Sequence, residues 1–319
     1  MALSSSGVVL DRSDSAFGLM RESNDILDDV EEQRTRMTED GYLLFRDLID
    51  ADVVLEARRE ILLKMAIVDE IDCINHDVMD AIQSDRAGLR HVNMIALTES
   101  IRTGRAYSNV VLNDELVRFL SEFVGGSVVS FDFRWPRFVR PGESTGVHCD
   151  GPYITRATTN LWSCWIPLGD VPMVEGGLMI LEGSHKSKAL QKDYATKDAD
   201  RENLGWLSTN PVELREQLGG LWLTTNYFVG DVLLFGPYLA HASLDNNSPI
   251  SRCRLSSDTR YQLETEPLDE RWNGDVSNPH GGAQRVFLPG LADDGNVNFT
   301  DEWKLVDERG RLTAAATAS

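Results

Sequence analysis

The sequence has no uninterrupted apolar run long enough to cross a membrane, and its first residues lack a basic region followed by an apolar core. We therefore predict neither a membrane span nor a secretory signal. Basic residues are scarce as well, since 31 Lys and Arg stand against 51 Asp and Glu, for a formal net charge of -20. So acidic a chain lacks the positive footprint that nucleic acids and anionic membranes attract, which argues against both as partners.

Cysteine is also rare. The four cysteines, Cys73, Cys149, Cys164 and Cys253, are scattered and show neither zinc-binding nor disulfide spacing. A reducing compartment is the simplest explanation, and we expect a cytoplasmic protein.

The 319 residues fit one large domain with extensions. Residues 1–20 are small, polar and unpatterned, which predicts a disordered tail. Residues 21–125 read as a helix-rich region that packs on a strand-rich core over 126–263. A polar insertion at 186–218 interrupts this core and is a candidate lid over the substrate. Residues 264–319 form a C-terminal extension.

Strand patterns dominate the second half of the chain, separated by Gly, Pro, Asn and Asp turns. Most of the intervals show no crossover helix, so an antiparallel sandwich or barrel is favoured over a parallel sheet. Before them, Asn113 is a predicted N-cap for a helix that ends at Gly125. The predicted strands cover 128–139, 158–167, 178–181, 231–235 and 252–263.

The candidate metal ligands are His148, Asp150 and His241. His148 and Asp150 are two residues apart, so an extended segment places both side chains on one side. Two histidines and one carboxylate can occupy one face of an octahedron and leave three positions open, which is the arrangement of non-haem Fe(II) oxygenases.

A candidate anion site follows His241. Arg252, Arg254 and Ser256 are spaced at the strand period of two. An iron enzyme that uses a 2-oxo acid needs such a cation for the far carboxylate, and an arginine can bind it through two hydrogen bonds.

Several short motifs follow one another between Phe131 and Tyr261. They are Val147-His148-Cys149-Asp150, Trp162-Ser163-Cys164-Trp165-Ile166-Pro167-Leu168, Gly176-Gly177-Leu178, Gly183-Ser184-His185-Lys186, His241-Ala242-Ser243 and the stretch 252–261. As an ordered set they are specific, and from about Thr38 to Gln262 the chain resembles the phytanoyl-CoA dioxygenase family of iron- and 2-oxoglutarate-dependent oxygenases. The resemblance implies a mainly β fold with flanking helices and a double-stranded β-helix core, a jelly roll of the cupin-like type.

The same resemblance implies roles for single residues. His148, Asp150 and His241 would bind Fe(II) and be catalytic. Arg252, eleven residues after His241, takes the family's position for the arginine that pairs with 2-oxoglutarate, with Arg254 as second choice and Ser256 as a further contact. Because Asp150 is present, oxidation of a C–H bond with O2 is favoured over halogenation.

The substrate stays open within this resemblance. We expect hydroxylation of a small molecule such as a secondary metabolite, with release of succinate and CO2 and with ascorbate as a supporting reductant. Trp162 and Asn160 share a strand face and are further candidate residues of the cofactor pocket, with core packing as the alternative for Trp162. Two alternatives are a cupin-like hydrolase or isomerase that uses another divalent ion, and a non-catalytic oxygenase homologue. A monomer and a homodimer fit the sequence equally well.

Overall fold

Two β-sheets packed face to face form the centre of the molecule. The computed structural model describes residues 2–89 and 94–274. The strands within these ranges are β1 (Ser4–Ser5), β2 (Val8–Val9), β3 (Phe17–Leu19), β4 (Tyr42–Phe45), β5 (Val128–Ser130), β6 (Trp135–Val139), β7 (Leu161–Pro167), β8 (Leu178–Leu181), β9 (Trp222–Thr224), β10 (Val232–Phe235), β11 (His241–Ser243) and β12 (Arg254–Leu263).

The larger sheet has six strands in the order β4-β10-β7-β12-β5, with β6 also paired to β12. The smaller sheet has the order β11-β8-β9-β3. All pairs in both sheets are antiparallel except that of β3 with β9. This arrangement confirms the predicted mainly β fold with a double-stranded β-helix core.

Helices cover the outer face of the larger sheet. In α5 (Asp114–Val124), the side chain of Asn113 accepts hydrogen bonds from the amides of Glu115 and Leu116, and Gly125 ends the helix with a φ of 85°, as the sequence predicts. The described helices are α1 (Val30–Asp40), α2 (Ala51–Ile67), α3 (Met94–Arg102), α4 (Arg105–Val111), α5 (Asp114–Val124), α6 (Gly151–Ile154), α7 (Lys188–Leu190), α8 (Ala199–Glu202) and α9 (Pro211–Leu218). Within the described ranges, none of them is both long and apolar enough to cross a membrane.

Strand alternation sorts the side chains of β12 between two layers. Leu255 and Tyr261 face the helices and join their apolar core. The side chains of Arg254, Ser256, Asp258 and Arg260 lie on the opposite face, toward the smaller sheet, because successive residues of a strand point to opposite sides. All four are buried. A polar ladder therefore runs along the inside of the larger sheet.

The prediction of a disordered tail over residues 1–20 is wrong for the described residues 2–20. β1 and β2 form a short hairpin, and β3 adds a parallel strand to the smaller sheet through β9. Leu3 and Leu10 are buried in the apolar layer outside that sheet. The apolar residues here are too sparse to show a period, and their partners lie about two hundred residues later in the sequence.

The insertion at 186–218 packs against the same outer face. Leu190, Tyr194 and Leu214 share the apolar layer of Leu3 and Leu10. The chain then returns as β9, a strand that the sequence analysis missed. Trp272, in the C-terminal extension, is buried and donates from Nε1 to the carbonyl of Tyr153. Residues 275–319 of that extension lie outside the described residues.

Candidate active site

His148, Asp150 and His241 meet at one point between the two sheets. Their ligand atoms all lie within 4.8 Å of one another. The Oδ1 atom of Asp150 is 3.8 Å from Nε2 of His148 and 3.9 Å from Nε2 of His241. Atoms at this spacing surround a position for a single ion, which confirms that the three predicted ligands come together.

Backbone carbonyls fix the tautomer of both histidines. The Nδ1 atom of His148 donates to the carbonyl of Gly146 at 2.9 Å, and that of His241 donates to the carbonyl of Leu239 at 3.0 Å. Since a carbonyl only accepts, Nδ1 carries the proton in each ring and Nε2 keeps its lone pair for a metal.

The two histidines are also paired through their main chains. The amide of His148 donates to the carbonyl of His241 at 3.0 Å, and the reverse bond is 2.9 Å. This reciprocal pair is an antiparallel bridge, so the residues lie directly opposite each other. The distance between their side chains is therefore set by backbone hydrogen bonds.

Asp150 uses its two oxygens differently. Oδ1 faces the histidines, whereas Oδ2 accepts hydrogen bonds from Oγ of Ser163 and, at 2.8 Å, from Nη2 of Arg260. Burial by itself raises the pKa of Asp150, but Arg260 and then the two histidines outweigh it and hold that pKa well below its ordinary value. The carboxylate is thus ionised and held with one oxygen toward the metal position.

His148 is adapted to stay neutral. Burial, followed by the neighbouring His241, lowers the pKa of His148 to about 4, although Asp150 opposes the shift. A neutral imidazole is the form that binds a metal.

Besides Arg260, a second buried cation, Arg254, lies beside the metal ligands. It is buried, and Nη1 donates to Oγ of Ser256 at 2.6 Å, while its Nε is buried without a hydrogen-bond partner. No carboxylate in the described part of the chain lies within ion-pair distance of it. Arg254 and His241 line the same small cavity of about 30 Å³, enough for one water.

The sequence favours Arg252 over Arg254 as the cation of the co-substrate, but the structure places Arg254, and not Arg252, beside the metal ligands. Arg252 precedes the regular strand, which begins at Arg254, so the alternation that places Arg254 inside does not extend to it. Its Nε donates to the carbonyl of Asp80, and its Nη1 lies 3.5 Å from Oε2 of Glu175. Arg252 therefore faces away from the metal ligands.

The assignment of Trp162 and Asn160 to the pocket is wrong. Trp162 packs edge-on against Phe123 of α5 at 5.1 Å between ring centroids, on the helix-covered face of β7. Asn160 is exposed and donates to Glu266. Ser163 and Trp165 lie on the other face of β7, toward the smaller sheet.

A larger cavity of about 330 Å³ opens in front of the metal ligands. We call it the front cavity and the small one beside Arg254 the inner cavity. No single sequence pattern marks the walls of the front cavity, because they come from four separate stretches of the chain. Besides His148, Asp150 and Arg260, its lining includes Trp135, Arg137, Tyr153, Ile154, Trp206 and Trp272.

The double-stranded β-helix and the two-histidine, one-carboxylate site define the class, that of non-haem iron oxygenases. Within this class, the chain belongs to the phytanoyl-CoA dioxygenase family, whose model matches residues 37–253. It is a non-haem iron, 2-oxoglutarate-dependent dioxygenase.

Two curated relatives are 1-deoxypentalenic acid 11-beta-hydroxylases. The one from Streptomyces arenae is 27% identical over 248 residues, covering 74% of this chain and 82% of the relative. The one from Streptomyces exfoliatus is 25% identical over 247 residues, with the same coverage.

Two solved structures share the fold. One is EctD from S. alaskensis with 2-oxoglutarate and 5-hydroxyectoine, with a TM-score of 0.52, 18% identity and coverage of 86% of this chain and 89% of that one. The other is the epimerase SnoN from nogalamycin biosynthesis with Fe3+, alpha-ketoglutarate and nogalamycin RO. Its TM-score is 0.51, with 18% identity and coverage of 83% of this chain and 92% of that one.

Proposed function

We propose that the protein hydroxylates a C–H bond of a small molecule, using Fe(II), 2-oxoglutarate and O2, and releases succinate and CO2. The observation that carries this proposal is the buried Arg254 beside the three metal ligands. Burying a guanidinium without an acidic partner costs free energy, so we expect an anionic ligand to bind beside Arg254.

The residues fit 2-oxoglutarate. Burial, and then the charge of Arg137, lower the pKa of Arg254 to about 10, so an anion beside Arg254 would stabilise its charged form. The distal carboxylate of a 2-oxo diacid supplies that charge and can accept from the unpartnered Nε. Ser256 holds the guanidinium in place through Nη1. This pairing transfers to Arg254 the role that the sequence assigns to Arg252.

The metal ligands fit Fe(II). His148 and His241 present lone pairs on Nε2, and Asp150 presents Oδ1 as a charged ligand. Bound iron with 2-oxoglutarate and O2 supplies the oxidising power for the C–H bond. Ser163 and Arg260 keep Asp150 oriented, and the aromatic walls of the front cavity exclude water around the substrate.

Hydroxylation is favoured within the class because both curated relatives are named as hydroxylases. A hydrolase or isomerase on the same core gives no role to the unpaired charge of Arg254. A non-catalytic homologue gives no role to the tautomers that leave both histidines ready for a metal.

The direct test is succinate formation with Fe(II), 2-oxoglutarate, ascorbate and O2 in the presence of candidate substrates, including the acid named for the two relatives. We expect substrate-stimulated succinate and a product heavier by one oxygen. Asp150→Asn, which keeps the shape of the side chain, should remove both. Equal succinate release by the wild type and this variant would overturn the proposal, as would turnover that needs Zn(II) and no 2-oxoglutarate.

A further inference from the structure

The front cavity combines apolar walls with one available cation. Its size of about 330 Å³ is at the small end of ligand pockets. Trp135, Trp206, Trp272, Tyr153 and Ile154 form its sides. Such a cavity suits a compact, largely hydrocarbon molecule.

The tryptophans of these walls pack against neighbouring residues. The rings of Trp135 and Trp272 meet edge to face at 4.9 Å. Trp206 comes from the insertion and lies so close to Gly146 that a Cβ there would fall 2.4 Å from its ring. Such packed rings favour a rigid substrate skeleton over a long flexible chain, because a rigid molecule has little conformational freedom to lose on binding.

Arg137 stands at the junction of the cavities. It lies opposite Ser256 in the pairing of β6 with β12 and lines both the front and the inner cavity. Its partner among the described residues is Asp258, which accepts from Nη2 at 3.2 Å. Its side chain is 44% exposed, so its remaining donors are open to a ligand.

Arg260 is not available in the same way. It is buried, and its Nη2 and Nη1 face Asp150 at 2.8 Å and Asp258 at 3.0 Å. Arg254 is taken by the co-substrate in the proposed function. Arg137 is therefore the cation of these cavities that can meet a second anion.

The sum of the charges that line the two cavities also favours a second anion. In the described part of the chain, the charged side chains that line the two cavities are Arg137, Arg254, Arg260, Asp150 and Asp258. Counting the two histidines as uncharged ligands of the metal, these five side chains leave one positive charge. Fe(II) would add two positive charges and the dianion of 2-oxoglutarate would remove them again, so one positive charge is left over, and Arg137 is the lining cation whose side chain is open to a ligand.

We propose that the front cavity binds a compact, rigid, apolar substrate with one carboxylate, and that Arg137 pairs with that carboxylate. This inference rests on the proposed function, because the count includes Fe(II) and 2-oxoglutarate. The pairing fixes one end of the substrate where the two cavities join and so restricts which carbon faces the metal position.

The test measures binding without turnover, on protein loaded with 2-oxoglutarate and with Ni(II) in place of iron. The probes are adamantane-1-carboxylate, a rigid tricyclic acid, and its uncharged methyl ester. Quenching of tryptophan fluorescence reports binding, since three tryptophans line the cavity. We expect the wild type to bind the acid about tenfold more tightly than the ester, which corresponds to about 1.4 kcal/mol.

Arg137→Met should abolish this preference by weakening the acid alone, with little change for the ester. Arg140→Met is the matched control, because Arg140 is held by Glu70 and Glu143 and lines neither the front nor the inner cavity; it should keep the preference.

Three results would overturn the inference: equal affinity of the wild type for acid and ester, a preference that survives in Arg137→Met, or no binding of either probe. A separate titration with 2-oxoglutarate distinguishes this failure from that of the proposed function. If 2-oxoglutarate binds and the acid preference is absent, the substrate inference alone fails.

Discussion

Arg260 bridges Asp150 and Asp258 inside the larger sheet, with Nη2 2.8 Å from Oδ2 of Asp150 and Nη1 3.0 Å from Oδ1 of Asp258. The metal-binding carboxylate is thereby linked to the polar ladder of β12. Arg260 cannot bind the metal itself, but it decides which oxygen of Asp150 does. We regard it as a positioning residue for the metal centre.

Replacing Arg260 with Met should weaken metal binding by about 10–100-fold, the usual effect of losing a partner of a metal ligand. The reason is that Asp150 loses both its charge partner and its orientation. Titration of the metal-free protein with Co(II), followed by its visible absorption, measures this affinity. Arg156→Met is the control, since Arg156 forms a comparable pair with Asp198 away from the site. Equal Co(II) affinity in Arg260→Met and wild type would refute the positioning role.

Arg254 and Arg252 provide a test residue and a matched control for 2-oxoglutarate binding. Arg254→Met should weaken 2-oxoglutarate binding by roughly 10–100-fold, because a charged hydrogen-bonded contact contributes about 1.5–3 kcal/mol. Arg252→Met should leave that affinity within a factor of about two, because Arg252 faces Glu175. Calorimetric titration of Ni(II)-loaded protein with 2-oxoglutarate gives both values. The opposite ranking would return the role to Arg252.

Acid should destabilise the metal-free protein through His148. Its pKa falls from 6.5 to about 4 on folding, so between these pH values the unfolded chain binds a proton that the folded protein does not. The free energy of unfolding therefore decreases as the pH is lowered from 6.5 toward 4, by at most roughly 3 kcal/mol. The comparison is urea unfolding of wild type and His148→Gln across this range. The variant should show a weaker pH dependence, and parallel curves would contradict the assignment.

The amino-terminal hairpin offers a stability test with a neighbouring control. Leu10 is 5% exposed, whereas Val9 is 62% exposed. Leu10→Ala should lower the free energy of unfolding by about 2–5 kcal/mol, the range for a buried leucine. Val9→Ala should change it by no more than about 0.5 kcal/mol. Urea denaturation followed by tryptophan fluorescence measures both, and two small effects would favour the disordered tail after all.

The sequence predicted the metal ligands because their chemistry is visible in single residues. His148 and Asp150 share a short spacing, and His241 falls within an ordered series of motifs. The alternation of side chains along a strand also predicts that Arg260 lies on the same face as Arg254, because the two residues are six apart. It was missed because nothing in the sequence shows that its partner is Asp150, 110 residues earlier.

Two errors came from extending local rules too far. Arg252 is at the family's position, eleven residues after His241, and strand spacing puts it on the face of Arg254; however, β12 begins only at Arg254, and at Arg252 a bridge to Ile82 replaces the regular ladder. Trp162 has the predicted parity with Asn160, but periodicity does not tell which face of a strand is covered by helices. Residues 2–20 are ordered through contacts with β9 and Ser243. Because these partners are distant in sequence, no local pattern could predict them.

The mutual main-chain bond between His148 and His241 has a practical consequence. Because amides and carbonyls hold these residues opposite each other, the binding site exists before any ion arrives. Loss of iron during purification should therefore leave a folded protein, and simple addition of ferrous salt under argon should restore the centre without a refolding step.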